Sequence, residues 1–200
     1  MLQRQGVRLI LASGSATRRT LLSAAGLVFE DRTSGVDEAA VKQSSSGEAT
    51  EAALQLADLK AQTVSAAEPA ALVIGADQIL VCEGIWYDKP ADRNAAAEQL
   101  RALRGRTHAL VTAVVCYERG CCVWRHTESP RLIMREFSEE FLQAYLDAEG
   151  DSLTTTVGAY RVEGLGANLF TSIDGDYASV LGLPLLPLLS FLRNRGYLTI

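Results

Sequence analysis

The stretch "ASGSATRRTLL", residues 12–22, lies between the apolar run "VRLIL" (residues 7–11) and "SAAGL" (residues 23–27). Small hydroxyl residues and two arginines therefore occupy the point where a short buried strand hands over to a helix. Ser15 can cap that helix, and Gly26 supplies its C-terminal stop. In open α/β sheets ligands collect beyond the carboxyl ends of the strands. The backbone N–H groups and hydroxyls from Ser13 to Ser15 are thus candidates for an anion site. Arg18 and Arg19 add planar donor forks suited to phosphate. The alternative is that Ser13 and Ser15 only cap the helix and the arginines are solvated.

Outward from this point, strand and helix patterns alternate. "LVFEDRT" (residues 27–33) alternates like a strand, and "SGVDEAAVKQSSSGE" (residues 34–48) reads as a polar loop. Glu48 to about Ala67 is helical, with Leu54, Leu56, Leu59 and Val64 as its apolar stripe. "ALVIGAD" (residues 71–77) and "QILVCEGIWY" (residues 78–87) read as two strands meeting at Asp77. Asp92–Leu103 is a helix with Gly105 after it, and residues 108–137 form a β ribbon turning at "ERG". Ser138 caps a helix with acids in its first turn, and Pro184 opens a last apolar helix. The class is α/β, and the 200 residues, 48% of them hydrophobic, fit one compact unit long enough to have two lobes.

Charge and composition exclude several functions. The net charge is −5 with dispersed lysines and arginines, so the basic stripe that tracks a polymeric nucleic acid is missing. The N-terminal apolar run is too short for a signal sequence, and no apolar run approaches a membrane span. The expectation is a cytoplasmic protein with no membrane partner. Cys82, Cys116, Cys121 and Cys122 form no C-x-x-C pair, which argues against a zinc site. Only His108 and His126 are present, both in apparent β segments, so the expectation is that a hydrolytic mechanism relies on carboxylates.

Four further charged residues fit such chemistry. Glu38 lies in the polar loop, Lys60 on a helix, Asp77 at the end of "LVIGAD", and Lys89 before Pro90. An acid at a strand's carboxyl end faces the ligand crevice rather than bulk water. Two carboxylates and several cations in one cleft suit phosphate chemistry with a divalent ion, a carboxylate taking the proton from water.

The chain resembles the Maf family of nucleoside triphosphate pyrophosphatases. The resemblance is carried by "LILASGSATRRTLLSAAGL", "VDE", "LKAQ", "VIGADQILVCEGIWYDKP", "LRGRTHALVTAV", "VGAYRVEGLGANLF" and "IDGDYASVLGLPL", in that order along nearly the whole chain. It implies a single domain over residues 1–200 with the Maf and inosine-triphosphatase-like mixed sheet, two lobes and a central cleft. It also implies cleavage of a nucleoside triphosphate to the monophosphate and pyrophosphate with a divalent cation, magnesium or manganese, and a possible homodimer. Residue by residue, it makes Asp77 the proton acceptor, Glu38 a metal or water ligand, and Ser13, Arg18, Lys60 and Lys89 phosphate contacts.

The departures bear on specificity. Thr17 stands in place of a second arginine, Asp88 in place of the glycine before "KP", Gln78 follows Asp77, and Glu163 lies in "RVEG". Thr17, Gln78 and Glu163 lean away from the branch that hydrolyses dTTP and UTP and toward the branch that hydrolyses 7-methyl-GTP, though Thr17 is not that branch's aromatic residue. An acceptor-only carboxylate at Glu163 suits the positive 7-methylguanine ring and its N–H donors better than the carbonyls of uracil and thymine. Two alternatives stay open: a dTTP/UTP pyrophosphatase, and a nucleotide-sensing regulator of septum formation with little turnover.

Overall fold

A computed structural model describes residues 2–45 and 47–199. In chain order it opens with β1 (Leu9–Leu11), α1 (Ala16–Ala24), β2 (Glu30–Asp31), α2 (Glu38–Ser44), α3 (Ala49–Ala67) and β3 (Leu72–Cys82). There follow β4 (Ile85–Tyr87), α4 (Arg93–Leu103), β5 (Thr107–Glu118), β6 (Cys121–Glu128), β7 (Arg131–Met134) and α5 (Glu139–Glu149). After two short 3-10 turns, Gly150–Thr154 and Val157–Ala159, a third spans Leu165–Leu169 and leads to β8 (Phe170–Asp174), α6 (Tyr177–Val180) and α7 (Leu185–Asn194). The chain divides into two compact units, one of Met1–Gln78, Thr112–Glu128 and Asp176–Ile200, the other of Ile79–Val111 and Ser129–Gly175.

In the first unit β1 runs parallel to both β2 and β3, with Ile10 opposite Glu30 on one side and Val73 on the other. Parallel strands covered on both faces are continuous apolar runs, which is why "LIL" and "LVI" lack alternation. β6 pairs antiparallel with β5, Val114 opposite His126. Leu9, Leu11, Leu22, Ile74, Val114, Leu188 and Leu192 form the core here. Helix α3 turns Ala52, Ala53, Leu56, Ala57, Lys60, Ala61 and Val64 inward. A Cβ at Gly75 would overlap the Ala57 carbonyl oxygen and the Ala61 side chain, so only glycine lets α3 approach β3 this closely. That contact sets Lys60 against Asp77.

The second unit is antiparallel. β4 pairs with the end of β3, Val81 opposite Trp86, and β7 pairs with β5 and β8. Leu80, Leu100, Leu103, Leu110, Leu132 and Leu142 are buried within it. Its helices start as their sequences specify: Asp92 Oδ1 accepts from the Ala95 N–H at 2.8 Å, and Ser138 Oγ from the Phe141 N–H at 3.1 Å.

Four local expectations are corrected. The segment read as a loop holds α2, because Asp37 caps it through Oδ1 to the Ala40 N–H at 3.1 Å and an acid opens its first turn. The two strands expected to meet at Asp77 are one continuous β3, with the turn instead at Glu83 and Gly84, both at positive φ. Asp77 therefore lies inside a strand, because a lone acid does not break a ladder whose backbone groups are paired. The strand over residues 27–33 shrinks to Glu30–Asp31, and Leu54 and Leu59 are only partly buried because alanines carry the inner face of α3.

Candidate active site

Asp77 is 4% exposed and Lys60 is 7% exposed, on β3 and α3 of the first unit. Lys60 Nζ lies 2.6 Å from Asp77 Oδ1 and 2.6 Å from Glu38 Oε1. One buried ammonium thus holds two carboxylates from two other elements. Glu38, the first residue of α2, has a half-exposed side chain, so this grouping runs from the interior to the surface. Asp77 Oδ2 is buried and meets no hydrogen-bond partner among the described residues. A buried carboxylate oxygen left unpaired is costly, and such atoms occur where strain is stored, where the group reacts, or where a water or ion completes the bonding.

The loop before α1 joins this grouping through Arg18. Its side chain is buried, donating from Nε to the Gly182 carbonyl at 2.7 Å, and from Nη1 to the Ala76 carbonyl at 2.9 Å and Ser13 Oγ at 3.0 Å. Burial lowers the Arg18 pKa from its ordinary value, while the negative charges of Asp77 and Glu38 act in the opposite direction. Ser13 Oγ also accepts from the Ser15 N–H at 3.2 Å, which leaves the Ser13 hydroxyl proton free to donate outward. Ser15 caps α1 as its sequence specifies, with Oγ 3.3 Å from the Arg18 N–H. One of the backbone donors read as anion ligands, the Ser15 N–H, is therefore engaged within the loop itself. Arg19 is partly exposed, donating to the Gly14 carbonyl and pairing with Asp31 at 3.6 Å.

The remaining candidates have separate settings. Gln78 Nε2 donates to Thr112 Oγ1 at 2.8 Å and to the Ser179 and Val180 carbonyls at 2.9 and 3.2 Å, tying the strand beside Asp77 to α6. Thr17 is partly buried on α1. Lys89 and Glu163 belong to the second unit and are exposed, as is Asp88 beside Lys89. The structure thus brings Ser13, Arg18, Lys60, Asp77 and Glu38 into one connected set. The sequence reading missed Gly75 and the Gln78–Thr112–Ser179 knot. A glycine inside a strand pattern is the signal that pointed to the first.

The donor set fits a divalent cation. Glu38 and Asp77 offer hard oxygen ligands, and magnesium characteristically takes one or two carboxylates and fills its remaining positions with water and substrate phosphate. No group of three or more histidine, cysteine, aspartate or glutamate residues suited to a metal occurs among the described residues.

The description "Maf-like protein" fits residues 8–195 of this chain. The chain belongs to the Maf family. A protein of Paramagnetospirillum magneticum named nucleoside triphosphate pyrophosphatase is 53% identical to this Maf chain, covering 94% of it and 99% of the relative. Another of that name, from Granulibacter bethesdensis, is 51% identical, covering 97% and 100% of the two chains. The fold also matches a HAM1 protein from Coxiella burnetii with a TM-score of 0.51 at 12% identity, covering 94% of this chain and 99% of that one. At that identity the likeness concerns the fold alone. No helix among the described residues is long and apolar enough to cross a membrane.

Proposed function

We propose that this Maf chain hydrolyses a nucleoside triphosphate to the nucleoside monophosphate and pyrophosphate. The observation that carries the reading is the buried Asp77 carboxylate, with Oδ1 fixed on Lys60 and Oδ2 open, beside Glu38. Asp77 Oδ2 takes the proton of the attacking water, and Lys60 holds the carboxylate in the orientation that presents this oxygen. Glu38 would hold a magnesium or manganese ion, which when bound neutralises charge on the phosphates. Ser13 donates its hydroxyl proton to a phosphate oxygen. Arg18 fixes the Ser13 loop and supplies positive charge beside it, and Lys89 adds a compact cation for the phosphate chain. The match over residues 8–195 supports taking both units as parts of one functional domain. A cytoplasmic location accompanies this reading, since nucleoside triphosphates are made there.

The finer reading is a preference for 7-methyl-GTP over UTP and dTTP. It rests on Glu163, an exposed acceptor that complements the positive 7-methylguanine ring. Gln78 contributes indirectly, since its amide nitrogen is engaged by Thr112 and the α6 carbonyls. A pyrophosphate-release assay over a nucleotide panel, with magnesium, with manganese and with chelator, tests both levels. Turnover that needs the metal and is fastest on 7-methyl-GTP is expected, with Glu163→Gln narrowing the gap. Faster turnover of UTP or dTTP overturns the base preference, and no turnover of any nucleotide leaves the regulatory alternative standing instead.

A further inference from the structure

The last residue of α5, Glu149, breaks three local rules at once. Its side chain is only 3% exposed, it sits at the negative end of a helix dipole with no basic residue in the last turn, and its Oε1 has no partner among the described residues. Sequences that break local rules this way do so most often where function requires it.

The other oxygen, Oε2, accepts from Arg161 Nη2 at 2.9 Å and Nε at 3.2 Å. Arg161 in turn is the hub of the turn that follows it. Its carbonyl accepts from the Gly164 N–H at 3.1 Å, and a Cβ at Gly166 would run into the Arg161 backbone. The residue enclosed by this turn is Glu163. The approach to Arg161 is equally constrained. Ala159 is fully buried at φ +59, a conformation unfavourable for alanine, and its carbonyl accepts from the Tyr145 hydroxyl at 3.2 Å. Tyr160 is held by His108 Nε2 at 2.7 Å, and Thr156 Oγ1 donates to the Tyr160 carbonyl at 2.8 Å. Strain sustained by this much bracing is characteristic of recognition segments fixed in advance of binding.

We propose that Glu149 is a positioning residue for base selection: by gripping the Arg161 guanidinium it fixes the turn of residues 161–166 and hence the Glu163 carboxylate. The inference rests on the reading of Glu163 as the group that meets the base. Glu149 itself touches no substrate. Its removal changes how well the preferred base is bound and leaves the chemical step at Asp77 intact.

The test measures kcat and KM of the full chain for 7-methyl-GTP, GTP, UTP and dTTP, in wild type, Glu149→Ala, Glu149→Gln and Arg161→Ala, with thermal unfolding as the check on folding. Glu149→Ala and Arg161→Ala are expected to raise KM for 7-methyl-GTP by roughly tenfold with kcat within about twofold, and to shrink the preference over UTP by a similar factor. Glu149→Gln keeps an acceptor for Arg161 and is expected to hold the wild-type preference within about twofold. Where Glu149→Ala does not fold, Arg161→Ala decides, because its side chain is 40% exposed. Folded Glu149→Ala and Arg161→Ala variants that keep the wild-type preference, or lose kcat equally on every nucleotide, overturn the proposal. So does a wild type that turns over all four nucleotides alike. A wild type that hydrolyses none of them overturns the pyrophosphatase reading itself.

Discussion

Asp77 and Glu149 are both buried carboxylates with one oxygen on a cation and the other without a partner among the described residues, yet they differ in what the cation can do. Lys60, which holds Asp77, is itself buried on a helix pressed against β3 at Gly75, and it is shared with Glu38. Arg161, which holds Glu149, is partly exposed on a turn. In the first pair both partners are buried, whereas in the second only the carboxylate is. The difference fits the two roles proposed for them, a grouping that keeps a charged oxygen available for chemistry and a clamp that holds backbone in place.

The sharpest way to break this comparison is to remove the cations. Lys60→Met leaves a buried aspartate uncompensated and is expected to cost about 3–5 kcal/mol in denaturant unfolding. Arg161→Met strands the buried Glu149 carboxylate in the same way, but its guanidinium is 40% exposed and water can take its place, so a smaller cost of about 1–3 kcal/mol is expected. Equal costs would mean that the two groupings are of one kind.

Next in size is a pH effect confined to the second unit. Burial pushes His108 down to about 4, where it accepts or donates to Tyr160 as a neutral ring. Below its ordinary value of 6.5 the unfolded chain binds a proton that the folded His108 refuses. Stability is therefore full above that pH and falls as the pH drops toward about 4, by about 3 kcal/mol in all. His108→Gln, which cannot titrate, is expected to flatten that slope in urea melts taken from pH 7 to pH 4. A slope unchanged by the substitution would remove His108 as its source.

The smallest expected effect is at the helix starts. Asp37→Ala at α2 and Asp92→Ala at α4 each remove a side-chain cap and are expected to cost about 1 kcal/mol. Only the first lies next to a site residue, Glu38, so only the first is expected to lower turnover as well.

The sequence made α1, its Ser15 cap, α3, the β ribbon and the α5 cap legible, because each is specified by residues close together in the chain. It also made Asp77, Lys60 and Glu38 candidates by residue type, and the structure brings those three within hydrogen-bonding distance. It misplaced the break at Asp77, because a strand's continuity depends on its neighbours' ladders and not on the charge of one side chain. It took the α2 region for a loop because a serine-rich stretch masked the Asp37 cap. The sequence shows only the donors of Arg18, whereas its burial beneath Gly182 and Ala76 depends on contacts far apart in sequence. Glu149 left only a faint trace, an acid directly before the glycine that ends a helix.

The role proposed for Asp77 is that of proton acceptor in a pyrophosphate-releasing reaction. It is tested most directly by measuring pyrophosphate release and nucleotide binding in parallel for wild type and Asp77→Asn. Asparagine keeps the shape and removes the base, so turnover is expected to fall by roughly two orders of magnitude or more while the nucleotide still binds. A folded Asp77→Asn chain that released pyrophosphate at the wild-type rate would contradict the account.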